Sequence, residues 1–249
     1  MKKPSLLTIL AASLALAASA HATDIFNANG FDTDTTVNFT IKNGTSADLA
    51  WESGNGGRYK QISGTNVISI YNAAESENFT DYTVSASFVD NSRGGVSPVG
   101  VVARYRDNTN FYSGRLIAGT SDSLWTVEIY RFGGAGNLQL AKSATFTFEK
   151  GADTLYHGRL EFSVVGTNLN LKFYNAEVGG TMLADIDATD TAFTKGSAGF
   201  RSTVTGGVLA YTEFSIAATA VPEPATTAAL MGAVLLGAIV IFRRIRARA

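Results

Sequence analysis

The side chains this sequence offers for chemistry are acids, arginines and aromatics; thiols are absent. With no cysteine anywhere, thiol nucleophiles, disulfide redox steps and thiolate-held metals are excluded. The two histidines are His21 and His157. His21 sits in a leader described below, so a multi-histidine metal site or a histidine-pair mechanism is excluded as well. His157, next to Tyr156, could serve as a lone general base, but no nucleophile is recognisable beside it, and it reads as structural or surface. Asp185 and Asp187 flank Ile186, so on a strand they share one face. With Asp190 they could offer carboxylate oxygens to Ca²⁺, or form a solvated strand end entering a turn. The spacing and terminal glutamate of an EF-hand are missing. Glu161 with Arg159 makes an exposed pair of little energetic value. Gly133-Gly134-Ala135-Gly136 opens no helix, so it is a hairpin turn and not a phosphate cradle.

Aromatic rings flanked by polar groups suit a different task, stacking on the apolar faces of sugars. Trp51 stands beside a glycine-rich loop, Asn55-Gly56-Gly57, as an exposed platform or a core residue. Arg104, Tyr105, Arg106 and Tyr112 lie on or beside one strand pair. If Val101, Ala103 and Tyr105 face the core, alternation sends Val102, Arg104 and Arg106 outward. Trp125 alternates with Val127 and Ile129 and reads as core.

The elements that must hold these residues are strands. Tyr82, Val84, Ala86 and Phe88 alternate with Thr83, Ser85 and Ser87, a period of two. Leu160, Phe162 and Val164 form one apolar face. Gly166-Thr167-Asn168 then leads into Leu169, Leu171 and Phe173, which makes a hairpin. The same pattern predicts strands over 36–41, 67–71, 99–105, 111–117, 125–132, 138–140, 145–148, 197–201 and 209–216, and residues 24–34 suggest a first strand or packed arm. Clusters of Gly, Asn and Asp separate them. No sustained 3.6-residue period occurs between the chain's two ends, and no fixed repeat argues for a propeller or β-helix. About a dozen short strands therefore predict an all-β, two-sheet antiparallel sandwich.

Two blocks carry a more specific resemblance. Val99–Leu116, VGVVARYRDNTNFYSGRL, is a strand, a polar turn and an aromatic-rich strand. Gly196–Ile216, GSAGFRSTVTGGVLAYTEFSI, is a strand, a turn and a closing strand. In order, they resemble concanavalin-like jelly-roll domains of the laminin-G type, which often show Gly-x-x-x-Arg-Tyr-x-Asp-x-x-x-Tyr early and Gly-x-x-Gly-Phe-Arg before the last strand. The resemblance spans roughly residues 79–216 and implies a jelly roll; its motifs mostly encode the fold. Glycoside hydrolases on this fold often carry a Glu-x-Asp-x-x-Glu strand, with one acid attacking and another protonating the leaving oxygen. That motif is absent.

The two ends read separately. Lys2 and Lys3, an apolar run over 6–18 and small residues up to Ala22 make residues 1–22 a secretory signal peptide. Cleavage is expected after Ala22, with a cut after Ala20 as the alternative. Residues 23–218 form the sandwich and 219–224 a linker carrying Pro222-Glu223-Pro224. The prolines keep that tripeptide extended and accessible. Residues 225–242 are uncharged and as a helix would reach ~27 Å, close to a hydrocarbon core. Arg243, Arg244, Arg246 and Arg248 follow, in a tail over 243–249 that holds that end in the cytoplasm. The order Pro-Glu-Pro, apolar helix and arginine cluster resembles the PEP-CTERM sorting signal of exported bacterial proteins. The resemblance implies a membrane-embedded exosortase as processing partner, with release to the envelope or outside; passage through the secretion translocon follows from the signal peptide.

The ends hold six of the 20 Lys+Arg and one of the 21 Asp+Glu, so residues 23–221 carry 14 basic and 20 acidic residues, a net charge of −6. Nucleic-acid binding calls for the opposite sign; an acidic surface suits an exported soluble domain. The expectation is a non-catalytic surface or matrix protein, binding extracellular polysaccharide, with no cofactor; Ca²⁺ at Asp185, Asp187 and Asp190 is the alternative to none. The alternatives are a hydrolase or lyase acting on glycans with the same fold, and a purely structural matrix component.

Overall fold

The computed structural model describes residues 23–219 apart from 47, 55, 63–65, 92–98, 120–122, 135 and 204–208. The expected signal peptide, the Pro-Glu-Pro motif, the apolar segment and the arginine tail lie outside the described residues. Asp24–Thr219 forms one compact unit.

Strands and short 3-10 turns are the regular elements of this unit. In chain order the strands are β1 (Thr23–Asn27), β2 (Phe39–Asn43), β3 (Leu49–Glu52), β4 (Arg58–Gln61), β5 (Val67–Tyr71), β6 (Tyr82–Asp90), β7 (Val99–Asp107) and β8 (Asn110–Ala118). They continue with β9 (Leu124–Phe132), β10 (Leu138–Lys142), β11 (Phe146–Thr147), β12 (Tyr156–Val165), β13 (Asn168–Tyr174), β14 (Met182–Thr189), β15 (Ser197–Ser202) and β16 (Leu209–Ala218). One sheet, here the back sheet, runs β14-β13-β12-β6-β16-β4-β3, with β1 beside β16; the front sheet runs β10-β9-β8-β7-β15-β5-β2, with β11 beside β9. The all-β two-sheet antiparallel expectation holds. The expected strand at 36–41 begins later, because Thr36–Asn38 make a 3-10 turn before β2.

Alternation puts one face of each sheet into a shared core. Val84, Phe88, Val101, Tyr112, Leu116, Trp125, Phe162, Leu171, Phe173 and Phe200 are all within 1% of complete burial. Each such side chain contributes about 1.5–3 kcal/mol by leaving water. Trp125 is thus core, as read. The β12–β13 hairpin closes at the pair Val165↔Asn168 through Gly166 and Thr167; Gly166 takes φ +55° there.

Alternation fails at one point, and it matters for the expected site. β7 pairs with β8 in register up to Ala103↔Tyr112, then slips to Asp107↔Asn110. Within the slip, Arg104 adopts φ +49°, an αL backbone that a non-glycine residue rarely takes. The slip reverses the faces beyond it. Val101 and Ala103 join the main core, whereas Tyr105 joins a second apolar cluster with Ile68, Ile70, Val102 and Phe111. That cluster lies on the outer face of the front sheet, since Val102 and Phe111 alternate with the core residues Val101 and Tyr112. Tyr105 therefore does not face the core, and Arg104 does not face outward.

Candidate functional site: a cleft between the sheet edges

Arg104 is 1% exposed. Its guanidinium donates to the carbonyl of Thr80 (2.8 and 3.1 Å) and to those of Gly166 and Phe193 (2.8 Å each). Asp81 stands 3.6 Å away and itself accepts from the Gly166 N–H at 2.6 Å. The arginine stitches three connecting segments together and is closed to ligand. Tyr112 is also buried; its hydroxyl donates to Asp190 Oδ1 at 2.6 Å and accepts from the Phe193 N–H at 3.1 Å. Burial first, then the Asp190 carboxylate, pushes the Tyr112 phenol up to about 12. Tyr105 is 7% exposed, and its hydroxyl donates to Asn108 Oδ1 at 2.7 Å. Arg106 is exposed, with its guanidinium 5.5 Å from the Phe193 ring centre. The four residues sit near one another in sequence but do not present one surface.

The three aspartates part in the same way. Asp185 and Asp187 both point out from β14 and both accept from Asn170 Nδ2, at 2.6 and 3.0 Å. Asp190 turns instead toward Tyr112 and pairs with Arg131 at 2.7 Å, because it follows the strand end. The three aspartates do not come together as the alternative Ca²⁺ reading would need, and no group of three potential metal ligands occurs among the described residues. His157 is held between Glu177 (Nδ1, 2.7 Å) and Asp153 (Nε2, 2.9 Å). Glu161 does pair with Arg159, whose guanidinium lies 4.2 Å from the Tyr174 ring centre.

Trp51 lies elsewhere. β2 ends the front sheet and β3 ends the back sheet, and the chain crosses from one to the other through residues 44–48. Asp48 Oδ2 pins that crossing by accepting the Thr45 N–H at 2.7 Å and its hydroxyl at 2.9 Å. Between the two edge strands opens a cleft of about 650 Å³, lined by residues that include Asp34, Thr36, Thr40, Thr45, Ser46 and Trp51. Its floor is apolar and buried: Phe39, Leu49 and Tyr59. Trp51 is half-buried, and its Nε1–H donates to the Phe31 carbonyl at 2.9 Å, which fixes the indole plane. Asp34 Oδ1 accepts from the Thr36 N–H at 2.9 Å and from its hydroxyl. Burial pushes the Tyr59 phenol above its ordinary value, and the Asp34 charge adds to this.

A fixed aromatic ring, four rim hydroxyls and one carboxylate acceptor suit a small polar ligand with apolar faces. The volume falls in the range of ordinary ligand sites, roughly 300–1,000 Å³. Sequence reasoning singled out Trp51 and missed the hydroxyl rim. The missing signal is topological, since Asn43-Gly44 marks a turn without telling that the chain there passes from one sheet to the other.

Comparison with known proteins agrees with both parts of the chain. Residues 220–246 match the family described as PEP-CTERM protein-sorting motif. No curated protein matches the sequence. Among solved structures, the CBM2 module of the Lactobacillus casei BL23 phage J-1 evolved Dit superposes with TM-score 0.56 at 11% identity, covering 81% of this chain and 98% of that one. The legume lectin-like domain from Entamoeba histolytica gives TM-score 0.52 at 10% identity, covering 79% and 96%. The GH43 BlXynB protein from Bacillus licheniformis gives 0.54 at 12% identity; this chain spans only 39% of its length. At these identities the likeness concerns fold alone. The chain thus carries a PEP-CTERM sorting motif over residues 220–246, and the domain before it is a two-sheet jelly-roll sandwich.

Proposed function

We propose that this is an exported envelope protein whose sandwich is a non-catalytic polysaccharide-binding module, with the Trp51 cleft as its glycan site. The sorting motif implies export and processing by an exosortase. Passage through the secretion translocon, removal of residues 1–22 and anchoring by 225–242 complete the proposed route. The lectin-like form of the fold and the cleft support the binding role; the observation that carries it is the Trp51 ring held at the rim of a hydroxyl-lined cleft. Sugar recognition uses such a combination of apolar face and peripheral hydrogen bonds.

Among the described residues, Asp34 is the one carboxylate lining the cleft. Glycoside hydrolysis by the usual route needs two, separated by about 5–9.5 Å, which supports a binding role over a catalytic one. Affinity electrophoresis of the sandwich in gels containing the host's exopolysaccharide tests the reading. Retardation is expected, with affinity falling about tenfold in Trp51→Ala, the equivalent of ~1.4 kcal/mol. Unchanged mobility in every polysaccharide tried would remove the binding role. Release of reducing ends that is lost in Asp34→Asn would replace it with a catalytic one.

A further inference from the structure

The Trp51 cleft is electrostatically one-sided. Its lining holds three aromatic side chains, Phe39, Trp51 and Tyr59, and a single charge, that of Asp34; among the described residues no lysine, arginine or histidine borders it. The cations nearest in sequence are already engaged elsewhere. Arg58 and Lys60 flank Tyr59 on β4, and because Tyr59 is buried in the core, alternation turns both to the other face of the sheet. There Glu52, the register partner of Arg58, takes both: Lys60 at 3.1 Å, and Arg58 through its Nε.

Asp34 is left without a counter-ion. It makes no ion pair among the described residues, and its two bonds from Thr36 both use one carboxylate oxygen, Oδ1. The other oxygen, Oδ2, accepts no hydrogen bond from the described residues, and the Asp34 side chain is exposed, within reach of a ligand in the cleft. Its charge is felt at the floor, where it adds to burial in raising the Tyr59 phenol. Aromatic rings and an uncompensated carboxylate favour the same partner, a cation. The ring quadrupole draws an ammonium group, and the carboxylate accepts its hydrogen bonds with charge assistance. The same pair disfavours an anion. Residues 23–221 carry a net charge of −6, so a polysaccharide built of uronates is repelled on approach as well.

We propose that the Trp51 cleft selects polysaccharide bearing free amines, with the ammonium of an amino sugar paired to Asp34 Oδ2 while the sugar ring lies against Trp51. The inference rests on the reading of this cleft as a glycan site and names the ligand class it prefers. The rim hydroxyls of Thr36, Thr40, Thr45 and Ser46 draw no distinction of charge. Asp34 supplies it: N-acetylation of the sugar removes both the positive charge and the ammonium donors that this carboxylate would take.

The test is titration of the intact protein with β-1,4-linked glucosamine oligomers, their fully N-acetylated form, glucose oligomers of the same linkage, galacturonate oligomers and lysine oligomers, at a pH where the amines are protonated. The glucosamine oligomers are expected to bind about tenfold more tightly than the N-acetylated and glucose forms, and the galacturonate oligomers more weakly than all three. Asp34→Asn keeps an Oδ1 acceptor for Thr36 and should abolish the preference for amine over N-acetyl, with the thermal midpoint showing the protein still folded. Asp185→Asn removes an equal charge from β14, at the opposite end of the back sheet from β3, and should leave that preference unchanged. If Asp34→Asn does not fold, the comparison of amine with N-acetyl and with lysine oligomers on the unaltered protein still decides. Equal binding of the amine and N-acetylated forms overturns the inference, as does an unchanged preference in folded Asp34→Asn. Lysine oligomers that bind as tightly as glucosamine oligomers, or an equal loss of preference in Asp34→Asn and Asp185→Asn, overturn it too, since either means attraction of any polycation to an acidic surface. Trp51-dependent binding of neutral oligomers without any amine preference sinks this inference alone. Absence of binding to all the sugars and to the host's exopolysaccharide sinks the broader reading as well.

Discussion

Arg104 shows how a residue that looks like a ligand contact can be a fold determinant. Its place in Gly-x-x-x-Arg-Tyr was legible, but its orientation was not, because the αL backbone at that position reverses the alternation. Replacing it with Met would leave the Thr80, Gly166 and Phe193 carbonyls and Asp81 without their cation. We expect a loss of about 3–5 kcal/mol, the range for breaking a buried charged network, read as a lower urea midpoint at unchanged slope. Gly199 of the Gly-x-x-Gly-Phe-Arg run is a second such case. A Cβ there would stand 2.2 Å from the Ser69 carbonyl oxygen, so Gly199→Ala should part β15 from β5. Its thermal midpoint should fall by several degrees, as for a loss of at least ~2 kcal/mol. Gly196 packs against the Arg104 backbone in the same manner, with a Cβ 2.6 Å from the Arg104 carbonyl carbon. These motif residues serve close backbone approach, which is why they mark a fold and not an activity.

Among the elements, most strands were readable, the edge strands β2 and β10 included, but β3, β4 and β14 were not. β6, β12 and β13 carry sustained alternation because one face of each enters the core, and β16 alternates on either side of a bulge between Tyr211 and Glu213. β3 and β4 are four residues each, too short for a period to show, yet they build one wall of the cleft. The turns have their own chemistry. His157 on β12 ties the turn at Asp153 to the turn at Glu177. Burial alone would lower its pKa, but the hydrogen bonds to Glu177 and Asp153 prevail and raise it. A raised folded-state value means the tie stabilises fully below the unfolded pKa, near 6.5, and is lost as pH rises through the folded value. Thermal midpoints of the native protein and His157→Gln should therefore differ most at pH 5–6 and converge above pH 8. A constant difference across that range would show that the imidazole's charge plays no part.

For the whole molecule, export and domain structure are separable. Asp24–Thr219 holds its own core, so a chain ending at Thr219 should fold with the thermal midpoint of the processed protein. In a host with an exosortase, that truncation should shift the protein from the envelope fraction to the medium. Substituting Arg243, Arg244, Arg246 and Arg248 with Ser, in contrast, should leave the sandwich intact while impairing retention of the C-terminal end in the cytoplasm, read by protease protection of a C-terminal tag. An unaltered distribution in both variants would separate residues 220–246 from localisation.

Sequence by itself determined the strand-rich class, the two-sheet arrangement and the sorting motif, because each is written in local order: a period of two, turn residues, and a tripartite ending. Only the tertiary structure decided which side chains meet. A bulge of a few residues reversed the faces around Arg104, and a crossing between sheets gathered Asp34 and the threonines beside Trp51. Such meetings depend on register and crossover, which join residues distant in the chain and leave no trace in the spacing of either one.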